Sequence, residues 1–224
     1  MPGRKTPLIT GEIYHVFNRG INRQPTFTNS WEKRRAILTL KFYRFSGTPV
    51  RLSILLSTSS SNQKEVFDKL ENSGTPQVNI LSYCLMPNHF HLLLRQKQDN
   101  GISIFLGNFQ NSYTKYFNAR NKRDGSLFLD QFKALRIETD EQLLQVARYI
   151  HLNPYSSYLV DSFDNLLNYP YSSLGEYLKT SSKGLCEKET ILSFFQDLDP
   201  FKKFILDNAD YQRSLEQIKH LLFE

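Results

Sequence analysis

The sequence predicts an α+β domain, an antiparallel sheet of the ferredoxin-like or RRM-like kind with covering helices and a helical tail. Three observations predict it. Segments of strand and helix character follow one another as strand, helix, strand, strand, helix, strand, helix. A Pro87-Asn88 break parts two strongly apolar runs, Gln77 to Leu85 and His89 to Leu94. The hydrophobic share of 40% and aromatic share of 13% are those of a globular chain, and 224 residues suffice for one cored domain with an appendage or two small domains.

Glu12 to Arg19 is rich in β-branched and aromatic residues, ends at Gly20 and reads as the first strand. Asn29 or Ser30 can cap a helix from Trp31 to about Phe45, which Gly47-Thr48-Pro49 stops. A short helix is expected from about Gln63 to Glu71, and helices on one face of the sheet. From Gly101, Ile102, Phe105, Leu106, Phe109, Tyr113, Tyr116 and Phe117 recur at helical spacing, the mark of an amphipathic helix buried along one stripe. Ser126 to Ile137 reads as an extended arm and strand. Thr139 and Gln142 stand at capping-box spacing, opening a helix that Pro154 is expected to stop. The tail carries helical segments at Glu187 to Phe195 and about Pro200 to Phe223.

Charge is unevenly spread. Residues 1–51 hold ten Lys/Arg against two Asp/Glu, whereas residues 161–224 hold seven against eleven. A basic front favours a polyanion partner, nucleic acid being the commonest. No run of about 18 apolar residues occurs, so no membrane-spanning helix is expected. The first seven residues have no apolar core behind them, as a secretory signal would need, and the cytoplasm is the expected location. Cys84 and Cys186 are unclustered, which excludes a zinc finger or disulfide scaffold.

Two groups of residues carry chemistry. Alternation along a strand puts His89 and His91 on one side, with Phe90 and Leu92 on the other. Two imidazoles so placed make a clamp for a divalent metal, or are simply solvated histidines. His15, alone in the first strand, reads as structural. In the later helix Tyr149 and Asn153 are one turn apart and share a face. A tyrosine can be a nucleophile or a buried ring, and Asn153 a ligand or the cap before Pro154. Tyr113 and Tyr116 are rival nucleophiles, although their stripe reads as core. Arg19 and Arg23 in a polar turn, Lys33, Arg34 and Arg35 on the first helix, and Lys115, Arg120, Lys122 and Arg123 toward the end of the long helix are candidates for phosphate contacts or ordinary solvated charges.

These residues carry a resemblance. Tyr83-Cys84-Leu85-Met86-Pro87-Asn88-His89-Phe90-His91-Leu92-Leu93-Leu94 resembles the His-hydrophobic-His signature of the HUH single-strand nucleases, nearest the REP-associated, single-tyrosine transposase branch. Three stretches resemble that branch in the same order: Tyr14-His15-Val16 with Arg19-Gly20 and Asn22-Arg23; Ser112 to Asn118; and Arg148-Tyr149-Ile150-His151-Leu152-Asn153-Pro154. The likeness spans roughly residues 11–178, implying a transposase domain over 1–178 and a helical extension over 179–224. Where the family has a Gln-Gly-Arg-Phe-Lys-like run, this chain has Leu129-Asp130-Gln131-Phe132-Lys133 and lacks one basic residue.

The resemblance implies an HUH endonuclease fold and a metal-dependent transposase acting on single-stranded or hairpin DNA. Tyr149 would be the nucleophile, with His89, His91 and Asn153 holding Mg²⁺ or Mn²⁺. It implies a 5′-phosphotyrosine intermediate and a monomer or homodimer, nucleoid-associated when acting. The alternative is a hairpin nucleic-acid-binding protein that retains the fold without the activity. A replication-initiator or relaxase-type nickase would share the chemistry, but its relatives are larger.

Overall fold

The structure, a computed structural model, describes residues 7–179 and 184–214. Four strands, β1 (Ile13–Arg19), β2 (Val78–Met86), β3 (His89–Gln96) and β4 (Lys133–Ile137), form an antiparallel sheet in the order β2-β3-β1-β4. Helix α1 (Ser30–Tyr43) joins β1 to β2, and α4 (Gly101–Asn121) joins β3 to β4. Between α1 and β2 lie the short α2 (Leu52–Leu55) and α3 (Ser60–Ser73). This is the expected ferredoxin-like α+β arrangement.

Local chemistry starts the helices where the sequence signals them. The Asn29 side chain accepts the Glu32 N–H at 3.0 Å and caps α1. Thr139 does the same for Gln142 N–H, opening α5 (Asp140–Ser156), while Gln142 Oε1 accepts the Glu138 N–H at 2.8 Å. Helix α5 does not stop at Pro154: it runs through the proline to Ser156. A proline this close to a helix end forfeits only the bond to the Ile150 carbonyl, which the last turn tolerates. Asn153 therefore lies inside the helix and is not its cap.

Helices cover both faces of the sheet rather than the expected one. Tyr14, Val16, Phe90, Leu92 and Leu94 belong to a first core with Leu40, Phe105, Phe109 and Tyr113 from α1 and α4. Phe90 and Phe109 meet edge to face, their centroids 5.3 Å apart. Leu81, Cys84, Met86 and Leu93 belong to a second core with Leu143, Ala147 and Ile150 of α5. Alternation along β2 serves both cores, Tyr83 and Leu85 joining the first and Cys84 and Met86 the second. The pairing with β3 shifts register between Ile80 and Ser82 and sets Cys84 opposite His91 and Met86 opposite His89.

The tail closes the second core. It contributes α6 (Phe163–Leu167), α7 (Leu174–Tyr177), α8 (Glu189–Leu192) and α9 (Leu198–Leu206). Phe201 and Ile205 of the expected extension pack in the same cluster as α5. Its expected second helix, from Pro200, is α9, starting at Leu198; residues 215–223 of that expectation lie outside the described residues. The Tyr169–Ser173 stretch lies along the edge of β2, where Leu85 N–H donates to Tyr171 O and Ser173 N–H to Tyr83 O, both at 2.9 Å. Backbone groups on that edge are thereby paired. Among the described residues no helix is long and apolar enough to cross a membrane.

Candidate active site

On the α5 side of the sheet, a cavity of about 900 Å³ opens beside the β2–β3 turn. His89 and His91 line it from β3, and Tyr149 and Asn153 from α5. Strand alternation aims both imidazoles the same way, their centroids 5.0 Å apart and their planes nearly perpendicular. Helical periodicity stacks Tyr149 over Asn153, and the Tyr149 ring stands edge-on to His91 at 5.4 Å. Tyr149 is half-buried, while His91 and Asn153 are buried.

The turn that carries His89 is tied down at several points. Pro87 O accepts the Thr26 and Phe27 N–H groups at 2.8 and 2.9 Å, and Asn88 O accepts the Gly20 N–H at 2.8 Å. A Cβ on Gly20 would lie 2.5 Å from Gln24 O, so only glycine allows this approach. Asn88 Nδ2 donates to Arg23 O at 3.3 Å, which turns its carbonyl oxygen toward His89 Nδ1 at 2.6 Å. An amide oxygen only accepts, so Nδ1 of His89 carries a proton, and in the neutral ring the lone pair is then on Nε2. Asn88 thus sets a tautomer suited to ligating through Nε2.

His91 Nδ1 lies 2.9 Å from Nε2 of His15, in β1. Burial pulls His15 down to about 4, and burial followed by the neighbouring His89 and His15 pulls His91 well below the usual imidazole range. Both are neutral at physiological pH, the form that binds metal. The Asn153 amide donates to Tyr149 O at 3.3 Å, leaving Oδ1 as its acceptor. Two imidazoles and one amide oxygen are a neutral donor set that fits Mn²⁺ or Mg²⁺ with positions left for phosphate oxygens and water. Among the described residues there is no cluster of three His, Cys, Asp or Glu side chains able to hold a metal. A third donor would therefore be an amide or hydroxyl oxygen, and Asn153 is one of those that line the cavity with the two histidines.

The rival tyrosines lie elsewhere. Tyr113 is fully buried in the first core, donates to Thr26 O at 2.6 Å, and burial raises its phenol further above the usual range. Tyr116 packs under Arg35 on the other side of the molecule. Tyr158 lines the cavity together with Tyr149 and is exposed; the sequence offered no signal for it beyond its place just after α5. Gln131 and Lys133 also line the cavity, from the run in which this chain departs from the family pattern.

The nine candidate cations divide. Arg19 and Arg23 are exposed on the rim of the cavity, and Arg23 has a left-handed backbone (φ 56°). Arg35, Lys115 and Arg120 gather, with Arg51, around a separate cavity of about 1040 Å³ between α1 and α4, lined by no carboxylate among the described residues. Arg34 packs over Trp31, and Arg123 donates to Asn118 Oδ1 and Ser126 O. Lys122 is exposed at the end of α4, and Lys33 sits 4.7 Å from the Tyr171 ring centroid.

Against this geometry stand the comparisons with known proteins. No curated protein matches the chain. A solved structure of a REP-associated tyrosine transposase bound to a REP hairpin has a similar fold, with a TM-score of 0.54 at 14% identity over 83% of this chain and 90% of that one. The family model described as "Transposase IS200 like" matches residues 9–153, a span that holds the histidine pair, Tyr149 and Asn153. The chain belongs to the IS200-like transposase family.

Proposed function

We propose that this chain is a metal-dependent, single-strand DNA endonuclease and transposase in which Tyr149 is the nucleophile and His89, His91 and Asn153 hold the metal. One observation carries the reading: Tyr149 shares a cavity with both histidines, its ring against His91 and one helical turn from Asn153. A free phenol, with a pKa of ~10, is a weak nucleophile at neutral pH. A divalent metal, Mg²⁺ or Mn²⁺, supplies positive charge at the scissile phosphate and favours attack there. Tyr149 Oη bonds to phosphorus and gives its proton to water. The bond from phosphorus to the 3′-oxygen breaks, and that oxygen takes a proton from water and leaves as a 3′-OH. The DNA 5′-phosphate stays on the tyrosine, so the bond energy is kept and another 3′-OH can reverse the step on a new strand.

Arg19 and Arg23 at the rim bind backbone phosphates and hold the strand across the cavity. Arg35, Lys115 and Arg120, joined by Lys33, Arg34, Lys122 and Arg123, form the wider phosphate-binding surface. The solved relative bound to a REP hairpin supports hairpin DNA as the partner. Tyr149 reaches the histidine pair within its own chain, an arrangement that a monomer or each half of a homodimer can use, and a DNA substrate puts the working protein at the nucleoid.

The test incubates the protein with Mn²⁺ and single-stranded DNA carrying a hairpin, and looks for a covalent adduct on a denaturing gel. The adduct is expected with the wild type and lost with Tyr149→Phe or a chelator. An adduct that persists in Tyr149→Phe moves the nucleophile to Tyr158. No adduct from a wild type that binds the hairpin tightly means a binding protein that retains the fold without the chemistry.

A further inference from the structure

His15, which reads as structural from the sequence, lies outside the metal donors. It is 8% exposed, sits in the central strand β1, and its Nε2 is 2.9 Å from Nδ1 of His91. The ring planes are inclined by only 27° with centroids 5.1 Å apart, the spacing of two imidazoles joined end to end by one N–H···N bond. The β1–β3 register sets His15 opposite Leu93 and Phe17 opposite His91, so the two histidines are diagonal neighbours on one face.

One proton is shared along that bond, and it has two possible places. If His15 donates, His91 carries its own proton on Nε2, and an N–H points at a would-be cation. If His15 accepts, His91 is protonated on Nδ1 and presents a lone pair on Nε2. Only the second arrangement suits ligation through Nε2, and it requires His15 to be a neutral acceptor there. Asn88 performs the same service for His89, through an oxygen that can only accept.

We propose that His15 is a positioning residue for the metal: its Nε2 accepts the Nδ1 proton of His91 and so fixes the tautomer and plane of that ligand. The proposal rests on the assignment of His91 as a metal ligand. Ring-nitrogen partners of this kind govern metal affinity by about 10- to 100-fold when removed. The partner here is an imidazole rather than the usual carboxylate or carbonyl, and it adds no negative charge to the site.

The test measures Mn²⁺ affinity of the full chain without DNA, by electron paramagnetic resonance of free Mn²⁺. His15→Phe keeps an aromatic ring in the same space but has no acceptor, and is expected to weaken Mn²⁺ binding by about 10- to 100-fold. His15→Gln returns an acceptor oxygen near the position of Nε2 and is expected to recover most of the loss. Long-range ¹H–¹⁵N spectra of the metal-free wild type, assigned by the signals lost in His91→Gln, should show His91 protonated on Nδ1. Wild-type affinity in His15→Phe, with binding abolished in His91→Gln, would overturn the proposal and leave the metal site standing. Equal, negligible binding by wild type and His91→Gln would remove the metal site itself. Should His15→Phe fail to fold, the spectra decide: a proton on Nε2 of His91 refutes the inference.

Discussion

Acidification should unfold this protein through its buried histidines. His15, His91 and His151 are 8%, 6% and 0% exposed. Burial pulls His151 down to about 3 and His15 to about 4, and His91 falls well below the ordinary value. In the unfolded chain each returns to a pKa of ~6.5. The folded value is the lower one, so the unfolded state binds protons first. Stability is then fully present above ~6.5 and is lost as the pH falls toward the folded values. Each histidine held neutral in the folded state contributes a loss of about 2 kcal/mol between pH 7 and pH 5. Three together lose about 5–6 kcal/mol, a large part of the ~5–15 kcal/mol typical of a domain. The assay is urea denaturation of the metal-free protein, with chelator present, at half-unit steps of pH. Near pH 5 the slope should approach three protons taken up on unfolding. His151→Gln keeps a donor toward Ser173 Oγ and should reduce that slope to two, whatever it does to absolute stability. A change of less than about 1 kcal/mol between pH 7 and pH 5 would show that the unfolded chain does not take up these protons, and the linkage reasoning fails.

Other outcomes follow from single contacts. Asn88→Ala removes the acceptor on His89 Nδ1 and should weaken Mn²⁺ binding by about 10-fold or more, measured by calorimetry; unchanged affinity would mean that the ring is fixed by something else. Replacing Arg35, Lys115 and Arg120 with Gln should lower the salt dependence of hairpin binding by two to three counterions, read from log Kd against log salt, and an unchanged slope would remove that cavity from the interface. Gly101 begins α4 with its Cα against the Gln77 carbonyl, which a Cβ would strike. Gly101→Ala should therefore cost about 1–3 kcal/mol in thermal or urea melts, because the obstacle is backbone and not a yielding side chain.

Much of the site could be read from the sequence because its parts are local. Alternation along β3 is enough to pair His89 with His91, and the helical repeat is enough to pair Tyr149 with Asn153. The same holds for the caps at Asn29 and Thr139, which act over three residues, and for the α4 stripe, whose Phe105, Phe109 and Tyr113 are fully buried. Reading Pro154 as a stop failed because a proline in the last turn removes one hydrogen bond that the helix can spare. The second helical layer was missed although its main helix, α5, was expected, because nothing in a helix's own pattern says which face of a sheet it covers. Helices α6 and α7, four or five residues long, are too short to display a period.

Which residues share a face of one strand or one turn of one helix is legible without any fold, since backbone geometry alone fixes those relations. Which faces meet depends on how the elements pack. His15 and His91 are 76 residues apart and became partners through the β1–β3 register, and Tyr149 reached the histidines because α5 packs across the second face of the sheet. Register and packing arise from the summed burial of many apolar side chains, not from any signal carried by the histidines or the tyrosine themselves.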